Sequence, residues 1–256
     1  MGWLASPLHL AVERAPASWT LVAAERAGDR APRFVVAASF ADAPASLSEE
    51  IRRFRVREHL PSSATLVLWP ELGDAGVVAL DSRASGVVTL PKARVIRQRV
   101  EPFVRAGGRV TEVLLPHEAA LRLAGLAGWS SACVLLMQPS VACLAVIDGR
   151  AVRASYLGWL PPQPTSTETA KLLARYQLAA RLMPYLREWA GQAPQARMAV
   201  CGRFPDLRAA MVPIVEELDR EVDVLDAGLV PDFRDEIDPD ETSGRQLAWA
   251  AAARPA

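Results

Sequence analysis

The chain has 256 residues, with 29 basic side chains balancing 29 acidic ones, 51% hydrophobic residues and only 23% charged. That apolar content excludes a disordered segment, and a chain this long buries roughly 70–75% of its unfolded surface, enough for one large core or two small ones. Zero net charge removes the general electrostatic attraction on which a nucleic-acid binder relies.

In chain order, three short strands are predicted first, at Leu8–Val12, Trp19–Ala24 and Arg33–Ala38. Pro16 and Gly28-Asp29 separate them, so the chain begins as a meander. Ser46 or Ser48 caps a helix through Ile51, Phe54 and Glu58 to Leu60, which Pro61 ends. Thr65–Trp69 reads as a buried strand. Two further short strands follow, Gly76–Leu80 and Gly86–Leu90, joined by a turn at Asp81–Ser85. Pro91 opens an amphipathic helix with Ile96, Val100 and Phe103 on one face, and Gly107-Gly108 ends it. Val110–Leu115 is a strand, and Pro116 starts a helix from His117 to Leu126.

The same order then begins again. Cys133–Met137, Val141–Ile147 and Ala151–Tyr156 are predicted strands, with a hairpin turn at Asp148-Gly149. After the prolines at 161, 162 and 164, a long helix runs from Thr165 to Trp189, with capping chemistry at Ser166, Thr167 and Glu168. Pro184 is expected to kink or break it. Arg197–Cys201 is a strand, Phe204–Asp219 a helix, Val222–Leu225 a strand and Ser243–Ala253 a closing helix. No apolar run reaches the ~18–20 residues of a membrane helix. The start, MGWLASPLHL, has no basic region typical of a secretory signal.

Little familiar chemistry is legible. No Walker loop, G-x-G-x-x-G, G-x-S-x-G, H-E-x-x-H or C-x-x-C occurs. His9, His59 and His117 are scattered singly, and His117 is expected at the surface or in a helix cap. Cys133, Cys143 and Cys201 lie in apolar stretches, which reads as buried reduced thiols of a cytosolic protein. The acidic runs Glu216–Asp223 and Asp232–Glu241 read as solvated, as do the basic faces of residues 51–58 and 92–109. Trp159 is the candidate for an exposed groove residue.

Both halves therefore read as strand-strand-strand-helix-strand-helix-strand-helix, with extra elements in the first. They divide the chain into domains 1–128 and 129–256. The fold class is α/β with duplicated βββαβαβα halves. That order resembles the actin/hexokinase/heat-shock-protein ATPase superfamily, an actin-like (ribonuclease H-like) fold. The closer resemblance is to PilM-type proteins of type IV pilus assembly and the cytoplasmic domain of the secretion protein GspL. Residues 105–123, 198–227 and 244–253 carry it. The resemblance implies a vestigial adenosine turn at Gly202 and Arg203, the arginine standing where a second glycine is common.

The departures imply loss of chemistry. The first phosphate hairpin, at Leu10–Arg14, has neither the Asp nor the Gly of the superfamily. In the second, Leu136–Ser140, Met137 and Pro139 replace the acid and the glycine. The resemblance then implies a pseudo-ATPase with no catalytic residue, no metal ligand and no cofactor. It would be a non-catalytic scaffold of a bacterial pilus or secretion assembly, cytoplasmic and peripheral to the inner membrane. Its implied partner is a PilN-like inner-membrane protein, gripped by its cytoplasmic N-terminal tail in a groove of the first half. The alternative is an active ATPase or small-molecule kinase using ATP and magnesium, with Glu13 or Asp148 as the acid near the γ-phosphate. A third reading is an unrelated α/β binding module, which requires that the halves not repeat.

Overall fold

In the computed structural model, described for residues 8–15, 18–25, 33–41, 46–70, 77–81, 93–149, 151–158, 167–203, 207–224 and 245–253, the predicted meander is present with longer strands. These are β1 (Leu8–Ala15), β2 (Ser18–Glu25) and β3 (Arg33–Ala41), paired antiparallel in that order. α1 (Leu47–Arg57) crosses to β4 (Ser63–Leu68), which lies parallel to β1. β5 (Val77–Asp81) leaves this sheet for another. α2 (Ala93–Arg105), β6 (Arg109–Leu114) and α3 (Pro116–Leu126) follow. The first sheet has the order β3-β2-β1-β4-β6.

The second half repeats this plan. β7 (Ser131–Met137), β8 (Val141–Asp148) and β9 (Ala151–Gly158) form the antiparallel meander. α4 (Glu168–Gln192), β10 (Arg197–Gly202), α5 (Leu207–Leu218) and β11 (Val222–Val224) add parallel strands beside β7. α6 (Gln246–Ala252) closes the order. The second sheet reads β11-β10-β7-β8-β9-β5, so stripping β5 leaves the connectivity of the first sheet. The repeat of topology excludes the unrelated binding module.

The chain forms two compact units, but a single cut near residue 128 does not separate them. β5 belongs with the second unit because it pairs along β9, from Val77 opposite Leu157 to Asp81 opposite Arg153. α6 belongs with the first, packed on β1, β2, β4 and α3. The reason lies in the first sheet. Leu10, Val12, Leu21, Leu66 and Leu68 face a core with Ile51 and Phe54 of α1 and Phe103 of α2. Ala11, Val22 and Val67 point the other way and are equally buried. A sheet apolar on both faces requires helices on both, and α3 with α6 supplies the second layer.

Local details follow simple chemistry. Ser46 is the N-cap of α1, but its side chain makes no capping bond; Glu49 and Glu50 offset the helix N-terminus instead. Thr167 caps α4, its Oγ1 accepting from the Ala170 N–H at 3.3 Å. Pro184 does not break α4, which runs unbroken from Glu168 to Gln192. Leu182, Met183, Leu186 and Trp189, buried on both sides of the proline, hold α4 together across the missing N–H. Arg55, on α1, donates from Nη1 to the Ala106 carbonyl at 2.9 Å and lies over the Phe103 ring, tying α1 to the end of α2. The predicted strand Gly86–Leu90, Trp159, Ser243 and the acidic run 232–241 lie outside the described residues.

Gly108 sits against the buried Phe103 ring, where an added Cβ would come within 2.4 Å of Phe103 Cε1. Gly125, on α3, meets nothing within 4 Å. Gly108→Ala should therefore cost about 1–3 kcal/mol through overpacking, whereas Gly125→Ala should gain roughly 0.5–1 kcal/mol of helix propensity. Paired thermal melts check both signs.

Candidate functional site

The resemblance places phosphate-side chemistry at the turns of β1–β2 and β7–β8, and the adenosine turn after β10. In the second unit these features meet. Gly202 ends β10 directly beside Met137, the last residue of β7, in parallel register. Its φ of +127° is accessible chiefly to glycine, and an added Cβ would lie 2.0 Å from the Met137 carbonyl oxygen. The next amide, Arg203 N–H, donates to that same oxygen at 2.8 Å. Gly202 is thus required by the closure of β10 onto β7, whether or not a ligand approaches.

The β7–β8 turn offers little to a phosphate. Phosphate-binding turns present several backbone N–H groups together with a carboxylate-held cation. Here the Gln138 N–H is spent on the Val141 carbonyl at 2.9 Å, and Pro139 has none to give. The Met137 side chain is fully buried and that of Gln138 nearly so. No carboxylate stands between residues 137 and 141.

At the end of β1 an acid is present, but it is engaged. Glu13 is 1% exposed, and Trp69 Nε1–H donates to its Oε1 at 2.7 Å. The Trp69 backbone N–H donates to the Arg14 carbonyl at 3.1 Å, binding the two strand ends together. Arg14 lies opposite Trp19 in register, with its guanidinium 5.3 Å from the indole centroid. Glu13 is therefore bound to Trp69 on one face of the sheet, and Arg14 packs on Trp19 on the other. Asp148 lies at the far end of β8, opposite Ser131, seven residues from Val141. At ~3.4 Å per residue it stands about 24 Å from the β7–β8 turn and does not contribute there.

The other candidates are structural. His117 is buried, not at the surface, on the first turn of α3; burial pulls its pKa down to about 4. Sequence reasoning missed this because Pro116 and the Leu115–Glu118 capping interaction mark a helix start without saying which face turns inward. Cys133, Cys143 and Cys201 are buried free thiols, and burial raises the pKa of Cys133 and Cys143. Among the described residues no group of three or more His, Cys, Asp or Glu is placed to hold a metal ion. No described helix is long and apolar enough to cross a membrane.

Comparison with solved structures decides the fold. The chain is similar to the PilM–PilN type IV pilus biogenesis complex, with TM-score 0.63 and 13% identity over 96% of this chain and 99% of that one. It is similar to the ethanolamine utilization protein EutJ from Carboxydothermus hydrogenoformans, with TM-score 0.60 and 14% identity, covering 98% and 90% of the two chains. Component A of (R)-2-hydroxyglutaryl-CoA dehydratase from Acidaminococcus fermentans matches with TM-score 0.58 and 9% identity over 97% of each chain. The fold is actin-like. No family model matches the chain, and no curated protein matches it by sequence.

Two predictions follow from this geometry. Gly202→Ala should destabilise the second unit by at least about 3 kcal/mol, through strain and backbone collision, read as a fall in melting temperature with or without nucleotide. For His117, the folded pKa lies below the unfolded value near 6.5, so between those two values the unfolded state binds more protons. Stability should fall by about 3 kcal/mol as pH drops from 6.5 to 4. His117→Gln should flatten that part of the curve, measured by urea unfolding across the pH range.

Proposed function

We propose that this protein is a non-catalytic actin-like scaffold that binds a membrane-anchored partner on the cytoplasmic side of a bacterial envelope assembly, of the pilus or secretion kind. The observation that carries the non-catalytic part is the β7–β8 turn. Its Gln138 amide donates to the Val141 carbonyl, its next residue is proline, and Met137 holds the place of an acid. An intact actin-like ATPase needs backbone amides and a cation-organising carboxylate at this point. On this reading Gly202 and Arg203 are what remains of an adenosine turn, kept because Gly202 is needed to close the sheet. The protein needs no cofactor, ATP and magnesium included.

The partner follows from fold likeness to a solved PilM–PilN complex, a match that spans nearly the whole of both chains. A PilN-like inner-membrane protein, presenting a short cytoplasmic N-terminal tail, is the kind of partner this supports. The scaffold then sits at the membrane through that tail.

Calorimetric titration of ATP with Mg²⁺ into the protein should give no heat and no thermal shift at millimolar nucleotide. Glu13→Gln should leave phosphate release at the background of the wild type. A synthetic peptide copying the cytoplasmic N-terminal tail of a PilN-like protein should bind with saturable heat. Micromolar nucleotide binding, or turnover that Glu13→Gln abolishes, would transfer the function to an ATPase.

A further inference from the structure

The two sheets share one connectivity, yet they end differently. β9, third strand of the second meander, carries β5 on its outer edge as an antiparallel neighbour. β3 holds the same place in the first sheet, and among the described residues nothing pairs with its outer edge. Burial follows this difference. On β9, Val152 and residues 154–157 are buried, whereas none of residues 35–41 of β3 is. Val35 is 47% exposed, and Ser39 and Ala41 are exposed. Val36, Ala38 and Phe40 pack on the core only in part.

An open strand edge is usually guarded by charge, proline or short length. β3 is nine residues long and has neither charge nor proline from residue 34 to 41. Its single device is an irregularity opposite Ala23 and Ala24 of β2, which affects the N-terminal end alone. Val36–Ala41 continues in regular register with Ser18–Ala23, a stretch long enough for a strand of five residues such as β5.

We infer that β3 is an acceptor edge: an extended segment of another protein, about five residues long, without proline and apolar at alternate positions, adds to it antiparallel as β5 adds to β9. Main-chain hydrogen bonds supply the affinity, and side chains beside Val36, Ala38 and Phe40 supply selectivity. A second copy of this chain fits less well. Two β3 strands paired over the regular stretch alone bury far less than the ~800 Å² per partner of a stable interface. The strand that fills the counterpart edge is also not a copy of the strand it joins.

The probe is a synthetic peptide of residues 76–83, the segment containing the strand that occupies the counterpart edge, titrated into the isotope-labelled full chain. Amide shifts should concentrate on Val35–Ala41. Methylating alternate peptide nitrogens should abolish them, which side-chain docking alone would not require. Val35→Lys combined with Ala41→Lys should weaken binding by about tenfold or more. Should that variant misfold, the methylated peptide still decides. Shifts on Ala151–Gly158 would mean that the peptide merely displaces β5, and no shift at millimolar peptide would mean a closed edge. A concentration-dependent dimer dissolved by Val35→Lys would give the edge to a second copy. Each of these three outcomes overturns the inference.

Discussion

The first sheet is apolar on both faces, and this constraint organises most of the molecule. Leu10 and Val12 of β1 face α1 and α2, while Ala11 between them faces α3 and α6. Neither layer can be omitted without exposing buried apolar surface to water, at roughly 25 cal/mol per Å². The requirement draws residues 246–252 back to a unit otherwise completed by α3. It also explains why all seven residues of α6 are buried, small and large alike.

That same packing bears on the reading of the site. Glu13 belongs to the face covered by α3 and α6, where an ionisable group is tolerated only with a strong partner, and Trp69 supplies one. A group committed in this way ties two strand ends together. In the second unit Gly202 tells a similar story. The glycine stands where its φ and its contact with Met137 demand it.

Much of the architecture was legible in the sequence because it rests on local signals. Prolines and glycines punctuate the strands, and the halves repeat one order of element types. Long-range pairing was not legible. Val77–Asp81 reads as a strand by composition, but nothing in those five residues says that β9 is its neighbour. Nor does a buried His117 differ in sequence from an exposed one. The break expected at Pro184 does not occur, because burial of Leu182, Met183, Leu186 and Trp189 offsets one lost hydrogen bond. Of the candidate site, Gly202 and its apposition to the β7–β8 turn could be anticipated. The engagement of Glu13 by Trp69 could not, since two strands, a helix and a further strand lie between them.

The dependence of the first unit on α6 has a consequence for biosynthesis. Residues 127–245 emerge from the ribosome before the helix that covers Ala11, Val22 and Val67 exists. Until then α3 alone covers that face of the first sheet, although every strand of that sheet has already been made. The amino-terminal unit therefore completes its second layer only when the last helix has been made, not while the rest is being translated. The nascent first unit must wait, as a sticky half-layer, for the last helix to arrive.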